Sequence, residues 1–416
     1  MSLDVYLYGE LIGTVFPAGV NDYRLAYAPE RITGFGPGAA ILSNSLPASG
    51  EPYSANATRT FVEGLLPSGM RRQKLARELG IEPDDGYALI AEIGRDCAGG
   101  VSFLPAGEGA PRNGAPPAWV REEELEELLT SPPSRLFDPD REQRMRFALG
   151  GERHKLSLAR APDGRWAWPD LHRPSTHIVK PETGEHPDLV ANEMLCTTVL
   201  REAGLPVAPT AVETIAGRPC LISERFDRMG VGREAKRFHQ ETFCQALSFG
   251  PDAEADSGEP GGPDFAEAAG LLRAVGEGDD VTTLLAAAFC NYIIGNGDAH
   301  GENFALMIVH DGALLAPLYD LVSTAVYDDP THRGMVISQD YAETAYLLEL
   351  SQVCEEAEIS FEHGRRIAAT MATRVAEALD PVVERARSEG WHTPLVDAIA
   401  ELAAERAVGL GFEVQY

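Results

Sequence analysis

The run Asn296-Gly297-Asp298-Ala299-His300-Gly301-Glu302-Asn303-Phe304 sets an aspartate five residues ahead of an asparagine, and Tyr319-Asp320 brings a second aspartate soon after. Phosphoryl transfer uses such a grouping. One carboxylate orients or deprotonates a hydroxyl, and an amide with a second carboxylate holds magnesium on ATP. The spacing from Asp298 to Asn303 alone is common, and a polar Asn-Gly-Asp turn would also produce it. The compound pattern, with His300 between and Asp320 beyond, is far more specific.

A kinase also needs a cation on the phosphates. Lys180 ends the apolar stretch His177-Ile178-Val179-Lys180, and Glu193 comes next on an expected helix. A buried lysine held by a glutamate is kept charged and aimed; a surface lysine and an ordinary helical glutamate would read the same way. Gly150-Gly151, leading into Glu152-Arg153-His154-Lys155, could let backbone N–H groups approach phosphate oxygens. It is neither a Walker A nor a Gly-x-Gly-x-x-Gly loop, and a plain hairpin turn accounts for it as well. Leu221 to Asp227 runs from an apolar strand into a polar stretch. Such a strand end can offer backbone hydrogen bonds to adenine, although an ordinary core strand looks alike.

The elements that must position these groups are set by periodicity and punctuation. Ala305 to Val309 reads as a strand, His310-Asp311-Gly312 as a turn, and Ala313 to Tyr319 as a returning strand, which carries Asp320 back toward Asn303. Asp298 then lies in the loop feeding that hairpin. Thr176 to Lys180 reads as a strand, Leu189 to Ala203 as a helix, and Thr210 to Ile215 with Pro219 to Phe226 as a hairpin pair. Leu156 to Ala159 and Arg146 to Leu149 would flank the glycine pair. Residues 4–16 read as strand, turn at Gly9-Glu10, strand. Residues 56–81 look helical, as do Asp85 to Ile93 and Glu122 to Leu129. Arg237 to Glu241 could start a helix with a capping pattern. Gly250 to Pro263 reads as an acidic surface loop, and most of the chain beyond residue 263 as helix.

Bulk properties narrow the classes. The chain has 416 residues, 44% of them hydrophobic and 24% charged, which suits a globular protein of two or three domains. The net charge of −29, from 64 acidic and 35 basic residues, disfavours direct nucleic-acid binding. No secretory signal is visible at Met1-Ser2-Leu3-Asp4, and the longest apolar run, Leu284 to Gly295, is too short to span a bilayer. The six scattered cysteines lack any Cys-x-x-Cys pair and read as reduced core residues of a cytoplasmic protein. His172, His177 and His186 are too scattered for a zinc cluster. The expected domains are 1–105, a connector at 106–143, and 144–410, the last with a smaller lobe at 144–227 and a larger helical lobe at 228–410.

Taken together, these motifs resemble the HipA-like serine/threonine kinases, the toxin halves of bacterial HipBA-type toxin–antitoxin pairs. The resemblance covers nearly the whole chain. It rests on Phe61 to Pro67, Ile93 to Gly100, Ser175 to Lys180, Asn192-Glu193, Glu224 to Arg228, His239-Gln240-Glu241, Asn296 to Phe304 and Tyr319 to Leu321. It implies an α+β fold: a two-lobed protein-kinase-like (HipA-type) domain, with a small α/β N-terminal domain and a mostly helical C-terminal lobe. It also implies roles. Asp298 would be the catalytic base, Asn303 and Asp320 the Mg2+ ligands, and Lys180, held by Glu193, the phosphate cation. Gly150, Gly151 and Lys155 would cradle phosphates, the backbone of Glu224 and Phe226 would hold adenine, and His300 would lie near the nucleotide.

The implied activity is transfer of the γ-phosphoryl group of ATP to a protein hydroxyl, on an aminoacyl-tRNA synthetase in the best-known case, with growth arrest as the outcome. The implied partner is a HipB-type antitoxin, through which alone the chain would reach DNA; no membrane is implied. Two departures stand out. Ala148 takes the position aligned with a serine that several members phosphorylate on themselves, which counts against autoinhibition by that route. The loop from Gly151 to Lys155 also lacks the small residue and glutamine usual in the family, which implies altered phosphate cradling. A small-molecule phosphotransferase, or a catalytically weak nucleotide-binding partner of an antitoxin, are the rival readings.

Overall fold

A computed structural model describes the chain apart from residues 20–21, 110–115, 131–149, 152, 171, 185, 231–234, 251–261, 277, 311, 328–350, 352, 356 and 414–416. The strand expected at 146–149, with Ala148, lies outside the described residues. So do Asp311 of the expected turn and most of the loop expected at 250–263.

Four antiparallel strands frame the first domain: β1 (Leu3–Leu7), β2 (Glu10–Gly19), β3 (Asp22–Tyr27) and β4 (Val101–Pro105), in the order β3-β2-β1-β4. Alternation along β1 buries Leu3, Val5 and Leu7 on one face. The turn expected at Gly9-Glu10 sits one residue earlier. Leu7 pairs with Glu10, so Tyr8 and Gly9 form a two-residue turn with φ of 55° and 82°, the hand that matches strand twist. Between β3 and β4 come α1 (Pro29–Phe35), α2 (Ala55–Glu63), α3 (Gly69–Leu79) and α4 (Gly86–Ile93). Residues 56–81 are thus two helices and not one. The chain breaks from Gly64 to Ser68, where Pro67 has no N–H to continue the ladder. Phe61, Leu89 and Ile90 from these helices join Val5, Leu25 and Phe103 of the sheet in one core.

After α5 (Glu122–Thr130) comes the smaller kinase-like lobe. It holds β5 (Leu156–Arg160), β6 (Trp166–Ala167), β7 (His177–Pro181), α6 (Leu189–Glu202), β8 (Thr210–Ile215) and β9 (Arg218–Glu224). Its five strands are antiparallel, in the order β6-β5-β7-β9-β8. Val179 and Ile222 pack toward α5 with Leu125 and Leu128. Leu221, directly opposite Lys180 across the β7–β9 pair, packs on the other face with α6. Strand periodicity therefore aims Lys180 at α6.

The larger lobe begins with the short pair β10 (Arg228–Met229) and β11 (Lys236–Arg237). It continues through β12 (Gln240–Thr242), α7 (Phe243–Leu247), α8 (Phe265–Val275), α9 (Asp280–Ile294), β13 (Ala305–Val309) and β14 (Gly312–Leu315). It ends with α10 (Phe361–Glu389) and α11 (Pro394–Glu413). Arg237 to Glu241 is not a helix start. Gln240 pairs with Met307 across β12 and β13, and the capping box falls on Thr242 and Gln245 at α7. The returning arm of the hairpin ends at Leu315, earlier than expected, as Pro317 approaches without a ladder donor. Ile367, Met371, Val375, Leu379, Val382 and Ala386 form the buried stripe of α10, which packs on α6, α9 and α11. The chain thus adopts the expected two-lobed α+β arrangement. All six cysteines are buried with free thiols. Among the described residues no helix is long and apolar enough to cross a membrane.

Candidate active site

Lys180 joins the two lobes. Its Nζ lies 2.5 Å from Glu193 Oε1 on α6 and 2.7 Å from Asp320 Oδ1, just past the β13–β14 hairpin. Only 12% of the lysine side chain is exposed. Burial alone would lower its pKa, but Asp320 and Glu193 outweigh burial and raise it, so the ammonium stays charged. Asp320 is the mirror case. Burial would raise its carboxyl, but Lys180, Arg153 and Lys155 together hold it well below the usual carboxylate range. Its backbone is left-handed, with φ of 55°, a conformation that aspartate tolerates better than most residues. Tyr319 fixes that corner, because its hydroxyl donates to the Glu302 carbonyl at 2.6 Å. This bond ties the residue before Asp320 to the residue before Asn303.

The loop that carries Asp298 begins where α9 stops. Gly295 closes α9 with φ of 75°, the left-handed cap that glycine allows at no steric cost. Asn296 then braces the turn, accepting from the Asp298 N–H at 3.0 Å and donating to Asn291 Oδ1 at 3.0 Å. Asn303 Nδ2 donates to the Asp298 carbonyl at 2.7 Å. The Asn303 amide oxygen, on the other branch of the same planar group, can only accept. His300 Nδ1 accepts from the Glu302 N–H at 3.3 Å, and its Nε2 lies 3.5 Å from Asp298 Oδ1. With Nδ1 accepting, Nε2 carries the proton that faces the carboxylate. His300 thus orients Asp298.

The Asn303 oxygen and the Asp320 carboxylate are hard donors of the kind magnesium takes. Among the described residues no three His, Cys, Asp or Glu side chains are grouped as a metal cage. A cation held by Asn303 and Asp320 would therefore complete its shell with phosphate oxygens and water, as magnesium on a nucleotide does. The residues present fit that ion.

The adenine end has its own logic. The Glu224 N–H donates to the Pro209 carbonyl at 2.9 Å, extending the β8–β9 register by one pair. The reciprocal bond would need an N–H at residue 209, and proline has none. The Glu224 carbonyl therefore lacks that donor from the neighbouring strand. Phe226 packs its ring against Tyr319, with centroids 5.4 Å apart.

At the phosphate end, Gly151 (φ 87°) forms a parallel bridge with Pro67 of the first domain. Arg71 Nη1, from α3, reaches the Gly150 and Gly151 carbonyls at 3.5 and 3.4 Å. A Cβ on Gly151 would come within 2.8 Å of Lys155 Nζ and would push that ammonium aside, and the positive φ there also favours glycine. Burial lowers the Lys155 pKa to about 8, helped by Lys180, Arg71 and Arg153 and opposed by Asp320. Every expected site residue lines one cavity of about 1150 Å³, which extends to Arg71 and Gly69 of the first domain.

Several of these residues escaped sequence reasoning. Arg71 carries no motif at all. Pro209 gains meaning only from its register partner. Arg153 was visible only as a departure from the usual loop. The Glu224-to-Arg228 motif also does more than edge the adenine site. Arg225 and Arg228 bind Asp227, and Arg228 and Arg237 pair with Asp96 of the first domain at 3.3 and 2.6 Å. Asp227 Oδ2 accepts from the Gly99 N–H at 2.6 Å, and Ser175 Oγ donates to Asp96 at 2.5 Å. Burial would raise the Asp96 carboxyl, but Arg237, Arg228 and Arg225 hold it well below its ordinary range. This largely buried network fastens the first domain to the end of β9.

Two family models match the chain: the HipA N-terminal domain over residues 3–104 and the HipA-like C-terminal domain over residues 147–387. Y4mE of Sinorhizobium fredii (strain NGR234), provisionally named a kinase, is 32% identical over 420 residues, 97% of each chain. The serine/threonine-protein kinase toxin HipA of Shewanella oneidensis (strain MR-1) is 29% identical over 350 residues, 79% of this chain and 76% of that one. Among solved structures, the complex of Shewanella oneidensis MR-1 HipA, HipB and operator DNA matches with a TM-score of 0.78 at 24% identity. That match covers 99% of this chain and 96% of the other, and the likeness is one of fold. With both domain models matched in order and a relative aligned along nearly its full length, the chain belongs to the HipA-like kinase family.

Proposed function

We propose that the chain is an ATP- and magnesium-dependent serine/threonine protein kinase of the HipA toxin type. The observation that carries this reading is the bridge from Lys180 to both Glu193 and Asp320, with Asp298 and Asn303 beside it in one cleft. Asp298, steadied by His300 and Asn303, takes the proton of an incoming serine or threonine hydroxyl. The hydroxyl oxygen attacks the γ-phosphorus, the bond from that phosphorus to the β,γ-bridging oxygen breaks, and ADP leaves with the electron pair. Lys180, and Lys155 over Gly151, hold phosphate oxygens from the smaller lobe. Asn303 and Asp320 would hold magnesium, whose chemistry is to neutralise charge between the β and γ phosphates. The Glu224 carbonyl accepts from the adenine amino group.

The relative named as a serine/threonine-protein kinase toxin supports a protein hydroxyl as acceptor, an aminoacyl-tRNA synthetase being the first to try. The fold match to HipA solved with HipB and operator DNA, together with the net charge of −29, supports a HipB-type antitoxin as partner. DNA would then be reached only through it. The reading also places the protein in the cytoplasm, with growth arrest as the outcome of its activity.

The test is transfer of labelled γ-phosphate from Mg·ATP in the presence of host lysate, with wild type and Asp298→Asn compared. A labelled protein band that only wild type produces is the expected result and identifies the target. Label that appears only on small molecules would assign the chain to the small-molecule phosphotransferases. No transfer by wild type, with nucleotide still bound, would make it a binding partner.

A further inference from the structure

Arg153 lies in the loop after Gly150-Gly151, and its guanidinium turns into the cleft. Its Nη1 is 3.7 Å from Glu193 Oε2 and 3.7 Å from Asp320 Oδ1. The two carboxylates are already engaged. Lys180 reaches Glu193 at 2.5 Å and Asp320 at 2.7 Å. Arg153 therefore stands behind the lysine, close enough to be attracted and too far to bond. Its Nη1 is buried and makes no hydrogen bond. A buried N–H donor without an acceptor is costly, and such a group in a cleft calls for an explanation. Arg153 also stays firmly charged: burial opposes the charge, but Asp320, Glu193 and Asp298 outweigh it.

Of the acidic groups around Arg153, the kinase reading assigns Asp320 to magnesium, Asp298 to the incoming hydroxyl and Glu193 to Lys180. Magnesium on Asp320 would take up the charge that now attracts the guanidinium. A γ-phosphate between Asp320 and Asp298 would then offer what Nη1 lacks, an anionic oxygen within bonding reach. A guanidinium suits that ligand, since its planar fork matches two phosphate oxygens. The base of the loop is anchored by the Pro67–Gly151 bridge and by Arg71, so the movement required is that of a side chain.

We propose that Arg153 is a γ-phosphate-binding residue, which leaves Glu193 and Asp320 when Mg·ATP enters and lets the site tell a nucleoside triphosphate from a diphosphate. The proposal rests on the kinase reading of the cleft. An arginine supplied from within the chain is one of the recurring means of stabilising a transferring phosphoryl group.

Calorimetry with Mg·ADP and with the magnesium complex of the non-hydrolysable β,γ-imido analogue of ATP tests it. Wild type, Arg153→Gln and Arg153→Lys are compared. In wild type the triphosphate analogue should bind more tightly than ADP. Arg153→Gln should lose that preference by about tenfold or more, the scale of a charge-assisted hydrogen bond. ADP affinity should stay near wild type, because ADP has no γ-phosphate to lose. Arg153→Lys keeps the charge without the fork and should lose about threefold; it decides the matter if the glutamine variant does not fold. Equal weakening of both nucleotides would overturn the proposal by making Arg153 a general cation of the cleft. Tighter binding of the triphosphate analogue by Arg153→Gln would also overturn it, since the side chain would then be an obstruction. Wild type that binds neither nucleotide would overturn the kinase reading as well. Wild type that binds both, with the ratio unchanged in the variants, would overturn this proposal alone.

Discussion

Lys180 Nζ and Asp320 Oδ1 meet at 2.7 Å across 140 residues of chain, so the two lobes share one charge pair at the back of the cleft. Lys180→Ala should lower the rate of phosphoryl transfer by roughly a hundredfold or more, since a preorganised charge on a transferring group is worth that much. Initial rates at saturating Mg·ATP would show it. A rate near wild type would remove Lys180 from the phosphate site.

In the proposed mechanism Asp298 acts on the acceptor and not on the nucleotide. Asp298→Asn should therefore cut turnover by roughly 10²–10⁴-fold, the usual range for a positioned general base. ATP affinity should remain near wild type. Single-turnover transfer and equilibrium binding, measured side by side, separate the two effects. A parallel loss of binding would mean that Asp298 also shapes the nucleotide site.

Asp96, itself buried, faces Arg228 and Arg237 in a largely buried network. Asp96→Asn leaves those arginines undercompensated, at a cost of about 3–5 kcal/mol in unfolding free energy. Chemical denaturation at neutral pH would read it. The pH dependence has a definite sign. The folded Asp96 carboxyl is held below its unfolded value, so its stabilisation is full above about pH 4 and is lost as pH falls through the folded value. The acid limb of the stability curve should be shallower in Asp96→Asn than in wild type.

Lys155 has a pKa lowered to about 8 by burial and by Lys180, Arg71 and Arg153, against the pull of Asp320. It is protonated below that value and neutral above it. Affinity for magnesium-free ADP should fall roughly tenfold between about pH 7 and 9 as that charge is lost. Lys155→Arg should flatten the fall, because a guanidinium keeps its proton. Titration calorimetry across that range checks both statements, and an identical slope in the variant would exclude Lys155 from phosphate binding.

The catalytic half of the site was legible because it is local. Asp298, Asn303 and Asp320 belong to one loop and one short hairpin, and Lys180 and Glu193 to one strand and the next helix. Patterns of that length show in composition and spacing. The rest depends on partners far apart in the chain. Nothing near Asp96 announces arginines beyond residue 224, and Arg71 meets the Gly150-Gly151 carbonyls only because Pro67 and Gly151 happen to lie side by side. Local cues also misled where tertiary pairing overrode them. Arg237 to Glu241 resembles a helix start, yet β10 pairs with Arg237 and β13 recruits Gln240 and Glu241 as a strand, and the helical periodicity of 56–81 runs through a break that only Pro67 signals.

Under the proposed kinase reading, Pro209 has a consequence for which base the cleft would accept. Any other residue there would bring an N–H opposite the Glu224 carbonyl and seal it into the sheet. With proline, that bond is not made. Adenine presents an amino group at its six-position and can supply the donor. Guanine presents a carbonyl oxygen at the same place, so two acceptors would face each other with no proton between them. Under the proposed kinase reading, one imino acid at the end of a strand would thus work as a purine filter.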